Sequence, residues 1–337
     1  MSSVIAAFHS RKFSPFLEGV TIDLPHVGKH RLKVSQTSKQ LRPKGFKFVA
    51  HSYMTQIETD SGVREWGFGE DDNELLSFQK SISEAVERVV YRLMKNKQSA
   101  QTTNGWASHL SKDKAERSAE LELYERDAVL SHWLTTTPMR EIDPSSFPKK
   151  ISTWVEKELS HSSSFNKLRI LVSHLGFLPT VTTVIEDENS FAVLSHATKE
   201  SIADAIEAAL AETCRIAHIA ADTKTSTLNK LAQPEFHAMY YAKLEKLPRF
   251  IFGEKINLKT AEREWKKRFQ EFKDSKSISS SVSFSCSGLT VAQANNPQVQ
   301  KLFFGETTSA LSEGLINLHR LKTANTKEIN LARHIVP

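Results

Sequence analysis

The sequence is poor in the residues that mark secreted and membrane proteins. It has 2 cysteines among 337 residues, too few for a disulfide framework and too sparse for a zinc site. No apolar run approaches the roughly 18 residues that a membrane-spanning helix needs. Basic residues interrupt the short apolar patch at the N-terminus, which argues against a signal peptide. We therefore expect a reduced, cytoplasmic protein that has no membrane partner.

The sequence also lacks a large excess of charge of either sign. The chain has 45 Lys and Arg against 39 Asp and Glu, a net charge of +6 and a pI near 9.1. Such a small excess permits a polyanionic partner without identifying one. A nucleic-acid-binding function would rest on the pI alone, because no basic stripe is interleaved with the aromatic residues. We expect no nucleic-acid partner.

Proline is absent from residues 44–137, and the two clearest helical patterns lie in that span. Apolar residues recur at intervals of three and four over 75–94 and over about 111–133, which predicts two amphipathic helices. Asp71 followed by Glu74 resembles a capping box before the first helix. Ser111 is the candidate N-cap of the second.

The remaining chain alternates strand and helix patterns, which predicts an α/β fold of mixed β-sheets packed with helices. The serine-rich stretch 275–287 is either a linker or a half-exposed strand, because apolar residues alternate with its serines. No domain boundary stands out. The other predicted elements are strands at 168–175, 180–186 and 191–194 and helices at 199–221 and 259–274.

The pattern Glu-x-x-Glu-Arg occurs in both of the first two predicted helices, as EAVER at 84–88 and ELYER at 122–126. Positions three and four apart share a helix face, so each helix presents two carboxylates and one guanidinium together. One interpretation is a solvated face of ion pairs. The other is an internally duplicated helix whose carboxylates hold Mg²⁺ and whose arginines contact the phosphates of a nucleotide. A P-loop and a dinucleotide fingerprint are both missing, so a nucleotide would bind through carboxylate-held metal.

With these motifs the sequence resembles the YcaO family. The resemblance rests on GFG at 67–69, the two ExxER helices (the second continuing as ERDA), TNGWA at 103–107, a G-x-P turn between two strands, and ALAE at 209–212. The C-terminal residues 330–337 are similar to a family tail that reaches toward the active site. The resemblance implies one YcaO-like domain over 1–337, with a motif-bearing core at about 60–220.

The family's chemistry is the ATP-dependent activation of a peptide backbone amide during maturation of a ribosomally synthesised peptide. A nucleophile adds to the amide carbonyl, ATP phosphorylates the oxygen, and phosphate leaves. The product is an azoline (thiazole or oxazole precursor), a thioamide or an amidine, and the sequence leaves this choice open. The resemblance implies a precursor-peptide substrate and a partner protein that is E1-like, binds the leader or delivers sulfur. It also permits a homo-oligomer.

The resemblance assigns site residues as well. Mg²⁺ would be held by Glu84, Glu87, Glu125 and Glu212. ATP would be contacted by Arg88, Asn104, Glu122, Arg126 and Arg215. His334 and Pro337 in the tail are the catalytic candidates, with His334 either transferring a proton or anchoring the terminus.

Several positions depart from the commonest family pattern: Phe68, Ser108, His109, Lys114 and Arg215. Each departure removes a possible contact to ATP or metal. His109 can still ligate or donate, and the two basic residues can replace a metal-borne charge. The ATP site is therefore either rewired or partly degenerate. In the second case the chain is a scaffold subunit of a peptide-maturation complex.

Overall fold

The structure, a computed structural model, describes residues 18–95, 104–223, 240–274, 280–286, 288–297 and 299. These residues form two compact units. Unit one takes the described residues of 1–41, 49–123 and 279–295, and unit two takes those of 42–48, 124–278 and 296–337. The single domain expected over 1–337 stays a prediction.

Unit one places a helix against two antiparallel sheets. The first sheet has the order β1 (Val20–Leu24), β2 (Gly28–Lys39), β3 (His51–Thr59) and β4 (Arg64–Asp71). Helix α1 (Glu74–Lys95) buries its apolar stripe in the core of this unit. The second sheet is formed by β5 (Trp106–His109), β11 (Ser280–Cys286) and β12 (Leu289–Asn295), with β12 in the middle.

The GFG motif brings α1 unusually close to β4. A Cβ atom built on Gly67 would overlap the backbone of Ser81 and Ala85, and one on Gly69 would overlap that of Ser77 and Ser81. Both glycines lie in a strand and lack the positive φ of a tight turn. Their role in the fold is therefore to let helix and strand backbones approach each other.

Unit two is built on a five-stranded mixed sheet. Its strands are β6 (Met139–Ile142), β7 (Lys167–Val172), β8 (Val181–Glu186), β9 (Ala192–Ala197) and β10 (Phe252–Ile256), in the order β10-β6-β7-β8-β9. The β10–β6 pair is parallel and the other pairs are antiparallel. Its helices include α3 (Lys149–Lys157), α4 (Ile202–Asp222) and α5 (Leu258–Asp274). Short 3₁₀ helices occupy Pro144–Ser146, Leu159–His161 and Arg249–Ile251.

Helix α2 (Lys112–Leu134) contributes to both units, with residues up to Leu123 in unit one and from Tyr124 onward in unit two. Both ExxER segments therefore lie in helices, on α1 and α2. An internal duplication stays a prediction. The expected α/β fold with mixed sheets is confirmed.

Several predicted boundaries are wrong in instructive ways. Asn73, not Asp71, caps α1, because its side chain accepts the Leu76 N–H at 3.1 Å while Asp71 closes β4. Helix α4 begins at Ile202, since Ser201 accepts the Asp204 N–H at 3.1 Å. The serine-rich stretch is strand β11 over its described part, and residues 275–279 lie outside the described residues. None of the helices described in the structure has the length and apolarity to cross a membrane.

Candidate functional site

Three glutamates of unit one form what we call the first carboxylate cluster: Glu84 and Glu87 on α1 and Glu122 on α2. Glu87 is half-buried. Its burial, together with the negative charges of Glu122 and Glu84, raises its pKa well above the ordinary value. Like-charged carboxylates in a partly dry setting repel each other. Carboxylate oxygens are ligands that Mg²⁺ prefers, so the chemistry of the cluster suits this ion, and a bound cation would relieve the repulsion.

Arg88 ties this cluster to strand β4. Its Nη2 lies 2.6 Å from Glu84 Oε1 and its Nη1 donates to the Trp66 carbonyl at 2.9 Å. The guanidinium also lies 5.9 Å from the centre of the Phe68 ring, and the Phe68 N–H donates to the second oxygen of Glu84. The Phe68 side chain therefore forms a wall beside the Arg88 guanidinium, and the backbone N–H at this position helps to hold Glu84.

Two further residues that differ from the commonest family pattern, Ser108 and His109, lie on strand β5. The Ser108 N–H donates to the carboxylate of Glu87, and its hydroxyl donates to the Ser83 carbonyl at 2.6 Å. His109 accepts the Ser111 N–H on Nδ1 at 3.0 Å, which leaves the proton of the neutral ring on Nε2. Burial and the charge of Lys114 lower the pKa of His109. At neutral pH the ring is thus an uncharged donor.

Two glutamates of unit two form the second carboxylate cluster: Glu125 on α2 and Glu212 on α4. Glu125 is 9% exposed, and its Oε2 accepts the Thr198 N–H at 2.8 Å. Arg126 Nη1 lies 3.4 Å from the other oxygen. Burial raises the pKa of Glu125 to about 7, although the charges of Arg126 and Lys199 oppose this rise.

Glu212 uses both of its oxygens. Arg215 Nη2 lies 2.7 Å from Oε1 and the Ser195 hydroxyl donates to Oε2 at 2.6 Å. Burial favours a raised pKa, but Arg215 and Ser195 outweigh it and hold the pKa of Glu212 below its ordinary value. Arg215 therefore supplies the positive charge that a bare carboxylate at this position would need.

The predicted site residues divide between the two units. Unit one brings together Glu84, Glu87, Arg88 and Glu122, and it contains Asn104 just before β5. Unit two brings together Glu125, Arg126, Glu212 and Arg215. The catalytic candidates His334 and Pro337 lie outside the described residues. Within the described ranges, no group of three or more His, Cys, Asp or Glu side chains is arranged to hold a metal ion by itself.

Sequence reasoning missed the partners that orient the second cluster. Ser195 and Thr198 are 0% and 1% exposed, and they lie at the end of β9 and just after it. The signal was a pair of hydroxyl residues at the end of an apolar strand, followed within a few residues by the helix carrying Glu212. The predicted strand stopped at 194, one residue short of Ser195.

A family model described as YcaO cyclodehydratase, ATP- and Mg²⁺-binding, matches residues 83–289. The match spans more than half of the sequence, and the chain belongs to the YcaO family. The prediction of ATP and Mg²⁺ as cofactors is confirmed at the level of this family. No curated protein matches the chain.

Solved structures show the same fold. A heterocyclase in complex with substrate and cofactor has a TM-score of 0.57 and 14% identity, covering 88% of this chain and 53% of its own. A YcaO protein from Methanopyrus kandleri bound with AMPPCP and Mg²⁺ has a TM-score of 0.53 and 12% identity, covering 79% of this chain and 86% of its own. The chain thus spans about half the length of the heterocyclase.

Proposed function

We propose that the chain uses Mg-ATP to activate a peptide backbone amide during maturation of a ribosomally synthesised peptide. Membership of the YcaO cyclodehydratase family supports this reaction class. The observation that carries the proposal is Glu87, a half-buried carboxylate whose nearest charges include Glu84 and Glu122. A cluster of this kind costs free energy in isolation and is stabilised by a cation.

Each residue has a distinct role in this proposal. Glu84, Glu87, Glu125 and Glu212 are the residues that would hold Mg²⁺. When bound, ATP supplies the phosphoryl group that turns the amide oxygen into a leaving group. Arg88 and Arg126 each lie against a carboxylate in the structure, and their planar guanidinium groups are suited to bidentate contact with phosphate oxygens. Asn104, Glu122 and Arg215 would complete the nucleotide contacts.

The protein's share of the work is positioning and neutralisation. Phosphoryl transfer needs little covalent chemistry from side chains, so rate depends on orientation and on stabilising developing negative charge. The Thr198 N–H and the Ser195 hydroxyl fix Glu125 and Glu212. We propose His334 and Pro337, which lie outside the described residues, as the catalytic candidates, with His334 either transferring a proton or anchoring the terminus.

We propose a precursor peptide as the substrate and a second protein, E1-like, leader-binding or sulfur-delivering, as the partner. The likeness to a heterocyclase of which the match covers only 53% supports the view that this chain supplies one part of a larger machinery. Intact-mass analysis of a co-expressed candidate peptide distinguishes the products. Loss of one water indicates azoline formation or amidine closure, and exchange of oxygen for sulfur indicates a thioamide.

Calorimetric titration with Mg-AMPPCP tests the proposed site. We expect the native chain to bind, and Glu87→Gln to weaken binding by about tenfold or more because a metal-facing charge is lost. Glu116→Gln is the matched control, since Glu116 lies on α2 and pairs only loosely with Lys112 at 3.8 Å. Equal affinity of Glu87→Gln and the native chain would contradict the assignment.

A non-catalytic scaffold is the second candidate, favoured by a specific observation. Arg88 and Arg215 lie 2.6 Å and 2.7 Å from Glu84 and Glu212, where they supply positive charge without a metal. If these ion pairs persist in solution, the arginines neutralise the carboxylates and no Mg²⁺ is needed to do so. If calorimetry detects no binding of Mg-AMPPCP to the native chain at millimolar concentration, the result would support the scaffold function and contradict the enzymatic one.

A further inference from the structure

Arg268 on helix α5 points its guanidinium at backbone carbonyls. Nη1 donates to the Ser173 carbonyl at 3.1 Å, and Nη2 donates to those of Leu175 and Gly176 at 3.3 Å and 2.7 Å. Burial, with the nearby charge of Arg140, lowers the pKa of Arg268 to about 10. A half-buried cation that gathers three carbonyls fixes the path of that segment strongly, because charge-assisted hydrogen bonds are the strong ones.

The same segment is held by its amide groups. His132 on α2 accepts the N–H groups of His174 and Leu175 on Nε2, at 3.1 Å and 3.2 Å. Its Nδ1 then carries the proton and donates to the Thr137 carbonyl at 2.9 Å. The loop after β7 thus has three of its carbonyls bound by the half-buried Arg268 and two of its amides bound by the buried His132.

This loop packs on the second ExxER segment. Gly176 has φ 81°, and a Cβ atom there would meet the backbone of Ala128. The Phe177 ring lies 5.3 Å from that of Tyr124. Ala128 and Tyr124 flank Glu125 on α2, so the loop rests on the turn that presents this carboxylate.

A continuous series of hydrogen bonds leads from the loop to Glu125. The Ser173 N–H donates to the Thr180 carbonyl at 2.9 Å, and the Thr180 N–H donates to the Ser173 hydroxyl at 2.8 Å. The Thr180 and Thr198 hydroxyls are 2.7 Å apart. The Thr198 N–H finally donates to Glu125 Oε2 at 2.8 Å. All of these groups are buried.

We propose that Arg268 is a positioning residue for Glu125, acting through the loop after β7 and the Thr180–Thr198 pair. The inference rests on the proposed function, in which Glu125 helps to hold Mg-ATP. A carboxylate that binds a metal–nucleotide complex must keep its orientation within a fraction of an ångström. Arg268 keeps the loop in the one path that aligns Thr180, and thereby Thr198, with that carboxylate.

The test compares Arg268→Met and Arg268→Lys by calorimetry with Mg-AMPPCP, with circular dichroism to verify folding. We expect Arg268→Met to weaken binding by about tenfold, and Arg268→Lys to recover most of the loss because lysine still donates to carbonyls. The matched control is Arg169→Gln, which removes another half-buried arginine of unit two, paired with Glu141 and Glu186 at 2.8 Å and 3.2 Å. We expect it to lower stability and leave nucleotide affinity unchanged.

A second variant covers the case in which Arg268→Met does not fold. Thr180→Val keeps the side-chain shape and removes the hydroxyl that reaches Thr198, and we expect the same loss of affinity. Native affinity in a folded Arg268→Met, or in Thr180→Val, would overturn the positioning role while leaving the proposed function intact. Absence of binding by the native chain would overturn both.

Discussion

Arg215 and Glu212 illustrate how one residue can alter the metal requirement of a site. They are three residues apart on α4 and 2.7 Å apart in space, and the Ser195 hydroxyl takes the remaining oxygen at 2.6 Å. The guanidinium therefore neutralises a carboxylate that a metal would otherwise share. Because Arg215 departs from the commonest family pattern, we propose that its fixed charge stands in for part of the charge that a metal ion would bring to Glu212.

Removing that fixed charge should strengthen Mg²⁺ binding. We expect Arg215→Gln to lower the Kd for Mg²⁺, titrated without nucleotide because Arg215 is itself a proposed nucleotide contact, several-fold because Glu212 becomes available to the cation. Isothermal calorimetry measures this. Arg117→Gln is the control, because Arg117 pairs with Glu120 at the same i,i+3 spacing and the same 2.7 Å distance. An unchanged Kd for Mg²⁺ in Arg215→Gln would show that Glu212 takes no part in metal binding.

His132 predicts the acid sensitivity of unit two. Burial lowers its pKa to about 3, and its Nε2 accepts two backbone amides, so the folded chain holds the neutral ring. The unfolded chain binds a proton near pH 6.5, and stability therefore falls as the pH drops from about 6.5 toward 3. We expect a slope of about 1 kcal/mol per pH unit in urea unfolding. His132→Gln should flatten this slope, whereas the exposed His161→Gln should not; an identical slope in His132→Gln would assign the effect elsewhere.

At the scale of elements, the contact between α1 and β4 depends on two missing side chains. We expect Gly67→Ala to destabilise the chain by about 1–3 kcal/mol, since its Cβ would overlap the backbone of α1. Urea denaturation followed by circular dichroism measures this. Gly62→Ala separates sterics from backbone strain, because Gly62 has φ 83° and no atom within 4 Å of its Cβ position. Its cost should be about 1 kcal/mol. A Gly67→Ala chain as stable as the native one would contradict the close packing.

Local patterns predicted the helices α1, α2, α4 and α5 and the strands β7, β8 and β9, because helix and strand periodicity is written in neighbouring residues. The four-stranded sheet β1–β4, the strands β5, β6, β10 and β12 and helix α3 were not predicted. Helices α1 and α2 lie within a few residues of their predicted ranges. Two boundary errors, at the starts of α1 and α4, came from local caps, whereas a third arose where a distant group decides the boundary. Strand β7 ends at Val172 rather than at 175, since the next residues give their carbonyls to Arg268, more than ninety positions away. No window of neighbouring residues contains that information.

The candidate site shows the same limit. The glutamates and arginines of α1 and α2 were predictable, because their spacing on these two helices is visible in the sequence. Glu212 and Arg215 on α4 were assigned through the family resemblance alone. The partners that orient them, Ser195 and Thr198, were not, because they come from β9 and its following turn. Orientation is a tertiary property, and hydrogen bonds such as Thr198 to Glu125, 73 residues apart, are set by sheet topology.

At the scale of the whole molecule, nucleotide binding should appear as added stability. A ligand that binds only the folded chain stabilises it by RT ln(1 + [L]/Kd), about 2.7 kcal/mol at a hundredfold excess over Kd. We expect Mg-AMPPCP to raise the melting temperature of the full chain by several degrees in differential scanning calorimetry. Chelating the metal with EDTA should remove most of this shift, because the clustered carboxylates repel a triphosphate that lacks its cation.

Glu125→Gln should reduce the shift. Glu207→Gln is the control and should retain it, because Glu207 is exposed on α4 and pairs with Lys150 at 2.7 Å. If Mg-AMPPCP did not change the melting temperature, the result would contradict the ATP-using enzyme and support the non-catalytic scaffold. In the scaffold, the arginines already neutralise the carboxylates, so the nucleotide adds no stability.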